Sequence, residues 1–278
     1  MELFRIIGGH PLVGTVQISG SKNAALPQFA ATLLSSEESI LENVPDLSDI
    51  RFMAEIISEL GADVEQLDQT TWKIKPLDIT HCGPYELVRK MRASICLLGP
   101  LTGRLKKAEI PMPGGCVIGQ RPIDLHIRAL ECLGANVELD RGIVKVNGTN
   151  LKGNRIFLGG RHGSTVTGTS NAIMAAVLAP GVTTIESSAC EPEIIDLCNM
   201  LVKMGANIVG IGSHFLTIRG VSKLCGCTHK VIPDRIEAAT YAIAAAITQG
   251  EITINGAVSE HLGSFINVMQ ESGGRIEK

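Results

Sequence analysis

Four segments of this chain end in a small-residue stop: LGA with Gly61, LGA with Gly134, MGA with Gly205 and SGG with Gly273. The glycines are spaced 73, 71 and 68 residues apart. Each closes an amphipathic stretch with helical spacing. The first carries Ile50, Met53, Ile57 and Leu60; the second Ile123, Ile127, Leu130 and Leu133. The third carries Ile194, Leu197, Leu201 and Met204; the fourth Leu262, Phe265, Ile266 and Met269. Apolar residues at three- and four-residue steps lay one stripe against a core. A glycine just past the last turn supplies the left-handed conformation that stops a helix.

Upstream of each amphipathic helix the sequence predicts a second, more apolar one: residues 24–34, 87–98, 171–178 and 236–247. A β-like stretch follows each, clearest in VTTIES and EITINGA, and short alternating segments such as ANVELD and ANIVGIG follow the glycine stops. The unit therefore reads helix, strand, helix, strand, strand. A helix that is apolar nearly all round is buried on most sides. Four such units imply an α/β protein with sheets packed outward around central helices. Units of ~70 residues exceed those of solenoids, which favours a globular arrangement.

Composition excludes several function classes. With 25 Lys and Arg against 28 Asp and Glu, the net charge is −3, so no basic excess is available for a nucleic-acid backbone. One Trp, two Tyr and six Phe are too few for a base-stacking platform. The start, MELFRIIGGHPL, lacks the basic and apolar regions of a signal peptide, and no apolar run reaches the length of a membrane span. Eight scattered cysteines form neither a disulfide framework nor a zinc pattern, since Cys225 and Cys227 make a C-x-C. Cys82, Cys132, Cys190 and Cys198 read as core filler. A cytoplasmic protein with reduced thiols is expected, with no metal, cofactor, nucleic-acid or membrane partner. Nothing in the sequence signals an oligomeric state.

Five motifs offer chemistry. GSKNAALP sets Ser21, Lys22 and Asn23 before an apolar helix, where an ammonium, an amide and free backbone N–H groups can gather an anion. VRKMRASICLLGPL crowds Arg89, Lys90 and Arg92 next to another apolar helix. PMPGGCVIGQRPIDLHIRAL holds Cys116 in a glycine-rich loop, followed by Arg121, Pro122 at a helix start, Asp124 and His126. Nearby cations and a helix N-terminus are the setting that lowers a thiol pKa. HGSTVTGTSN presents hydroxyls and Gly168 before a buried helix, a cradle for phosphate or sugar oxygens. CEPEIID and VIPDRIEAAT add Glu191, Glu193, Asp196, Asp234, Arg235 and Glu237, for which structural ion pairing is the expected use. Dinucleotide, P-loop, zinc-protease and nucleophile-elbow patterns are all missing. Together the motifs point to anionic substrates and a reactive thiol.

In that order, GSKNAALP, MRASICLLGPL, PGGCVIGQRPIDLH, CEPEIID and VIPDRIEAAT resemble the enolpyruvyl transferase family, specifically its UDP-N-acetylglucosamine 1-carboxyvinyltransferases. The resemblance runs over the whole chain. It implies an inside-out α/β barrel of repeated units in two domains: residues 21–229 as a complete first domain of three units, and residues 1–20 plus 230–278 as a partial second. It implies transfer of the enolpyruvyl group of phosphoenolpyruvate to the 3′-hydroxyl of UDP-N-acetylglucosamine, with release of phosphate, as the first committed step of peptidoglycan synthesis. By the same resemblance Cys116 is the general acid, with Lys22 and Arg121 also catalytic. Lys22 and Asn23 match phosphoenolpyruvate contacts. Arg92, Arg121, Pro122, Ile123, Asp124, Leu125, Ser164, Thr165, Val166, Thr167 and Gly168 match contacts to substrate, chiefly the sugar nucleotide.

This sequence departs from the family pattern in places. Cys96 stands where many relatives carry an aromatic near the base, and the frequent S-V-G of the cradle is replaced by Val166, Thr167 and Gly168. The family has about six units, four of which are found here. The general-base aspartate and further arginines would fall in the remainder, and no F-P-T-D-like motif occurs in the 278 residues. The alternative expectation is a remnant that binds the sugar nucleotide without turnover, its unfinished unit leaving apolar faces uncovered.

Overall fold

The computed structural model describes residues 3–114, 122–161 and 163–277. The chain divides into two compact units, a larger one of residues 22–232 and a smaller one formed by residues up to 21 and from 233 onward. The first strand, β1 (Val13–Gln17), belongs to the smaller unit.

The larger unit holds three repeats. The first runs α1 (Lys22–Thr32), β2 (Ser39–Glu42), α2 (Ser48–Glu59), β3 (Ala62–Gln66) and β4 (Trp72–Pro76). The second runs α3 (Tyr85–Val88), a 3-10 segment (Arg92–Leu97), α4 (Leu98–Leu105), β5 (Lys107–Pro111), α5 (Asp124–Cys132), β6 (Asn136–Asp140) and β7 (Ile143–Asn147). In the third, β8 (Arg155–Phe157) and the short antiparallel pair β9 (Gly159–Gly160) and β10 (Gly163–Ser164) precede α6 (Val166–Ala176). Then come β11 (Val182–Glu186), α7 (Pro192–Lys203), β12 (Asn207–Val209), β13 (Phe215–Arg219) and β14 (Thr228–Lys230).

The same pairing scheme recurs in each repeat. The sheets are ordered β14-β2-β4-β3, β5-β7-β6 and β8-β11-β13-β12, each with an antiparallel run of three strands. In the first and third an outer strand adds in parallel, β14 on β2 and β8 on β11. Alternation sorts each strand's side chains. Ala108 faces Val146 and Ile110 faces Val144 on the buried side, while Glu109 opposite Lys145 looks outward.

The sheets cover a bundle of helices buried almost all round. Residues 24–32 of α1, 98–103 of α4 and 168–176 of α6 are all buried. Such close packing needs a residue without a side chain where α4 crosses α6. A Cβ placed on Gly99 would lie 2.5 Å from the Asn171 carbonyl oxygen. The amphipathic helices α2, α5 and α7 pack against this bundle through the stripes legible in the sequence, with Ile50, Met53, Leu130, Leu197 and Leu201 fully or nearly fully buried. All four stop glycines take positive φ: 106° at Gly61, 91° at Gly134, 101° at Gly205 and 92° at Gly273.

At one end of the bundle the C-terminal turns of α1, α4 and α6 surround a cavity of about 650 Å³. The free carbonyls there are met by cations, as the helix dipole favours. Arg104 donates to the carbonyls of Leu33 (2.8 Å) and Ser35 (2.7 Å), and Lys106 donates to that of Gly103 (2.6 Å). With their C-termini gathered, the three helices run in one direction, and the starts of α1, of α6 and of the 3-10 segment that leads into α4 lie toward the other end. A buried network also ties α1 to α7 and β14. Asp196 accepts from Gln28 (2.6 Å) and the Ile232 N–H (3.2 Å), and its other oxygen lies 2.8 Å from His229 Nε2.

Two helices differ from the sequence expectation. The apolar stretch at 87–98 is no single helix. It breaks at Met91, whose backbone is extended, and Ser94 donates to the Val88 and Met91 carbonyls across the break. In the smaller unit, β1 pairs in parallel with β15 (Glu251–Asn255), beside α8 (Arg235–Ile247) and α9 (Gly263–Glu271). There α8 buries only Ala238, whereas Ile243 and Ile247 are 50% and 80% exposed. Its composition is that of a buried helix, but few of the described residues cover it.

The Gly99–Asn171 approach sets a test. Gly99→Ala should destabilise the protein by about 3 kcal/mol, because the added methyl meets backbone that cannot rotate away. Denaturant unfolding checks this, and a change below about 0.5 kcal/mol would show that α4 and α6 do not pack this closely.

Candidate functional site

The end of the bundle opposite the cation-capped carbonyls carries the residues singled out by sequence. Lys22 and Asn23 open α1. The Lys22 ammonium sits 2.9 Å from Asp49 of α2, which holds it at the helix start while leaving it partly exposed, and Asn23 is exposed. Arg92 opens the 3-10 segment that packs against both α1 and α6. Pro122, Ile123, Asp124 and Leu125 form the start of α5. Pro122 and Asp124 are exposed, but Ile123 is buried, so it anchors the turn and offers a ligand only its backbone.

The hydroxyl-rich segment enters α6. Thr165 is the N-cap, accepting from the Gly168 N–H at 3.2 Å, as an N-terminus with free donors requires. Gly168 is buried under Thr165, where a Cβ would collide with the threonine methyl. Ser164, Val166 and Thr167 are half-buried.

The starts of α5 and α6 come together through a motif residue to which the sequence assigned no role. His126 is buried, with Nε2 3.1 Å from Thr167 Oγ1 and Nδ1 2.8 Å from Asn171 Nδ2. Asn171 also donates to the Ile95 carbonyl (2.8 Å) and accepts from the Gly99 N–H (2.6 Å). Leu125 leans on β9, since a Cβ on Gly160 would lie 3.0 Å from it. Asn171 had a visible signal, a polar residue inside an apolar helix. Its partners come from three separate segments, which no local pattern reveals.

Burial, joined by the nearby Arg92 charge, pulls the His126 pKa down to about 4, so the ring is neutral. Asp124 acts in the opposite sense and does not prevail. Arg92, His126 and the α6 entrance therefore share one neighbourhood. Cys96 faces the core: burial pushes its thiol up to about 12, so it cannot stack on a ligand from this position. Cys116 and Arg121 lie outside the described residues.

Several of the remaining candidates are engaged in hydrogen bonds within the protein. Asp234 caps α8, accepting from the Ile236 and Glu237 N–H groups, and Glu237 accepts from Ser19. Asp196 serves the buried network, and Glu193 is buried nearby on α7. Cys198 is buried as expected of core filler, but Cys82 is exposed, on an irregular segment bridged to β5. His81, Cys82 and Glu109 are the one group of potential metal ligands among the described residues. Lys107 sits 3.0 Å from the Glu109 carboxylate and holds its pKa below the usual range. Among the described residues no helix is long and apolar enough to cross a membrane.

The buried imidazole makes stability depend on pH with a definite sign. Above pH 6.5 His126 is neutral in the folded and the unfolded chain. Between pH 6.5 and about 4 the unfolded chain takes up a proton that the folded chain refuses, so stability falls as pH falls. The loss reaches about 3 kcal/mol by pH 4. Denaturant unfolding of the wild type and His126→Gln should show a shallower slope for the variant in that window. Equal slopes would contradict the assignment.

A family model described as EPSP synthase (3-phosphoshikimate 1-carboxyvinyltransferase) matches residues 6–278. A UDP-N-acetylglucosamine 1-carboxyvinyltransferase of Methylacidiphilum infernorum is 52% identical over 277 residues, covering 100% of this chain and 66% of the relative. One from Akkermansia muciniphila is 49% identical, covering 100% and 65%. The chain thus spans about two thirds of the length of these relatives. In fold it is similar to the crystal structure of the enolpyruvyl transferase NikO from Streptomyces tendae, with TM-score 0.84 and 22% identity over 95% of this chain and 63% of that one.

Proposed function

This chain belongs to the EPSP synthase family, and on that premise we propose that the protein transfers the enolpyruvyl group of phosphoenolpyruvate to the 3′-hydroxyl of UDP-N-acetylglucosamine. The observation that carries the choice of acceptor is the 52% and 49% identity, along the whole chain, to relatives named for that sugar nucleotide. Such a protein serves peptidoglycan synthesis, and its substrates place it in the cytoplasm.

The reaction sets physical demands. A proton goes to carbon 3 of the enol phosphate, and the sugar hydroxyl gives its proton to a base as its oxygen bonds to carbon 2, where positive charge develops. Elimination then breaks the bond from carbon 2 to the phosphate oxygen, expels phosphate and removes a proton from carbon 3, leaving the enol ether of the sugar. In this reading Cys116 is the acid and Arg121 grips the phosphate. Lys22 and Asn23 hold phosphoenolpyruvate at the start of α1, where the ammonium and the backbone N–H groups face its negative charge. Arg92, Pro122, Ile123, Asp124, Leu125, Ser164, Thr165, Val166, Thr167 and Gly168 hold the sugar nucleotide. The meeting of the α5 and α6 starts at His126 and Thr167 supports this grouping.

Phosphate release from phosphoenolpyruvate by the protein carrying this chain tests the reading. Release should require UDP-N-acetylglucosamine, and Lys22→Ala should lower it at least about a hundredfold. Release driven by 3-phosphoshikimate instead of the sugar nucleotide would overturn the assigned acceptor.

A further inference from the structure

Asn171 cannot be turned over without cost. Its oxygen accepts the Gly99 N–H and its nitrogen donates to the Ile95 carbonyl, and neither backbone group can exchange roles. The nitrogen that lies 2.8 Å from His126 Nδ1 is therefore a donor, and Nδ1 is an acceptor. The neutral imidazole then carries its proton on Nε2, which donates to Thr167 Oγ1 at 3.1 Å. With that lone pair engaged, the Thr167 hydroxyl keeps its own proton to donate. Thr167 is the second residue of α6, so no preceding helical turn offers it a carbonyl. Thr167 is half-buried at the helix entrance.

We propose that Asn171 and His126 are positioning residues that fix the Thr167 hydroxyl as a hydrogen-bond donor to the diphosphate of the bound sugar nucleotide. The ligand in this proposal rests on the function proposed above; the polarity of the chain of hydrogen bonds does not. Two backbone groups of the Arg92–Leu97 segment and α4 thus decide, through two buried side chains, that one hydroxyl at the α6 entrance accepts from the imidazole and does not donate to it. An anion needs donors, and a hydroxyl free to rotate would present its lone pairs as readily as its proton. Because His126 Nε2 donates, the hydroxyl proton is not spent on the imidazole and stays available to the ligand.

Two measurements test the proposal. Long-range proton–nitrogen correlation spectra of the His126 ring at neutral pH should show the proton on Nε2; a proton on Nδ1 overturns the polarity whatever the ligand. Titration of UDP-N-acetylglucosamine should show affinity about tenfold weaker in Thr167→Val and restored in Thr167→Ser. His126→Phe should weaken binding similarly alone, yet add little on top of Thr167→Val, because both act through one hydroxyl. Additive losses would give His126 a merely structural part and overturn the proposal. A wild-type protein that does not bind the sugar nucleotide, while the ring keeps its proton on Nε2, would fail the functional reading and leave the polarity standing.

Discussion

Everything in the larger unit depends on how closely α4 and α6 approach at Gly99 and Asn171. Three helices with almost no polar surface must bury one another, and a methyl at Gly99 would hold two of them apart. At that approach the Asn171 amide accepts from the Gly99 N–H at the start of α4 and donates to the Ile95 carbonyl of the 3-10 segment, tying both to α6. Once the bundle closes, each repeat has a single solution for its remaining surface: a sheet on one side and an amphipathic helix beside it.

Because the three helices run the same way, their two ends differ electrically. The carbonyl end is answered within the protein by Arg104 and Lys106. The N–H end carries Lys22 and Arg92, and at α6 Thr165 takes up the Gly168 N–H. Asp49 steadies Lys22 without burying it. An end of this kind suits a small, highly charged anion, and that is the physical basis of the proposal that a phosphorylated substrate and a sugar nucleotide bind there.

Much of this was written in local patterns. The glycine stops gave repeat length and helix ends, and positive φ at Gly61, Gly134, Gly205 and Gly273 is the reason that residue is required. The hairpins after those stops were equally visible, since β6 with β7 and β12 with β13 pair within a few residues. What escaped depended on distance along the chain. That β14 completes the first sheet while β1 joins β15 follows from pairings across more than 180 residues, with no trace in either strand alone. The break at Met91 escaped because an apolar run reads the same whether it is one helix or three short pieces. Arg92 and Thr167 were legible as candidates from their motifs, but His126 was not given its part, because that part is defined by Asn171, 45 residues away.

The account stands on the claim that the ligand belongs to the helix N-terminal end and not to the cavity at the other. Amide chemical-shift mapping with UDP-N-acetylglucosamine separates the two. Shifts should concentrate at Asn23, Arg92, Asp124, Leu125 and the 164–168 segment. Shifts confined to Arg104, Lys106 and Lys223 around the opposite cavity would contradict it.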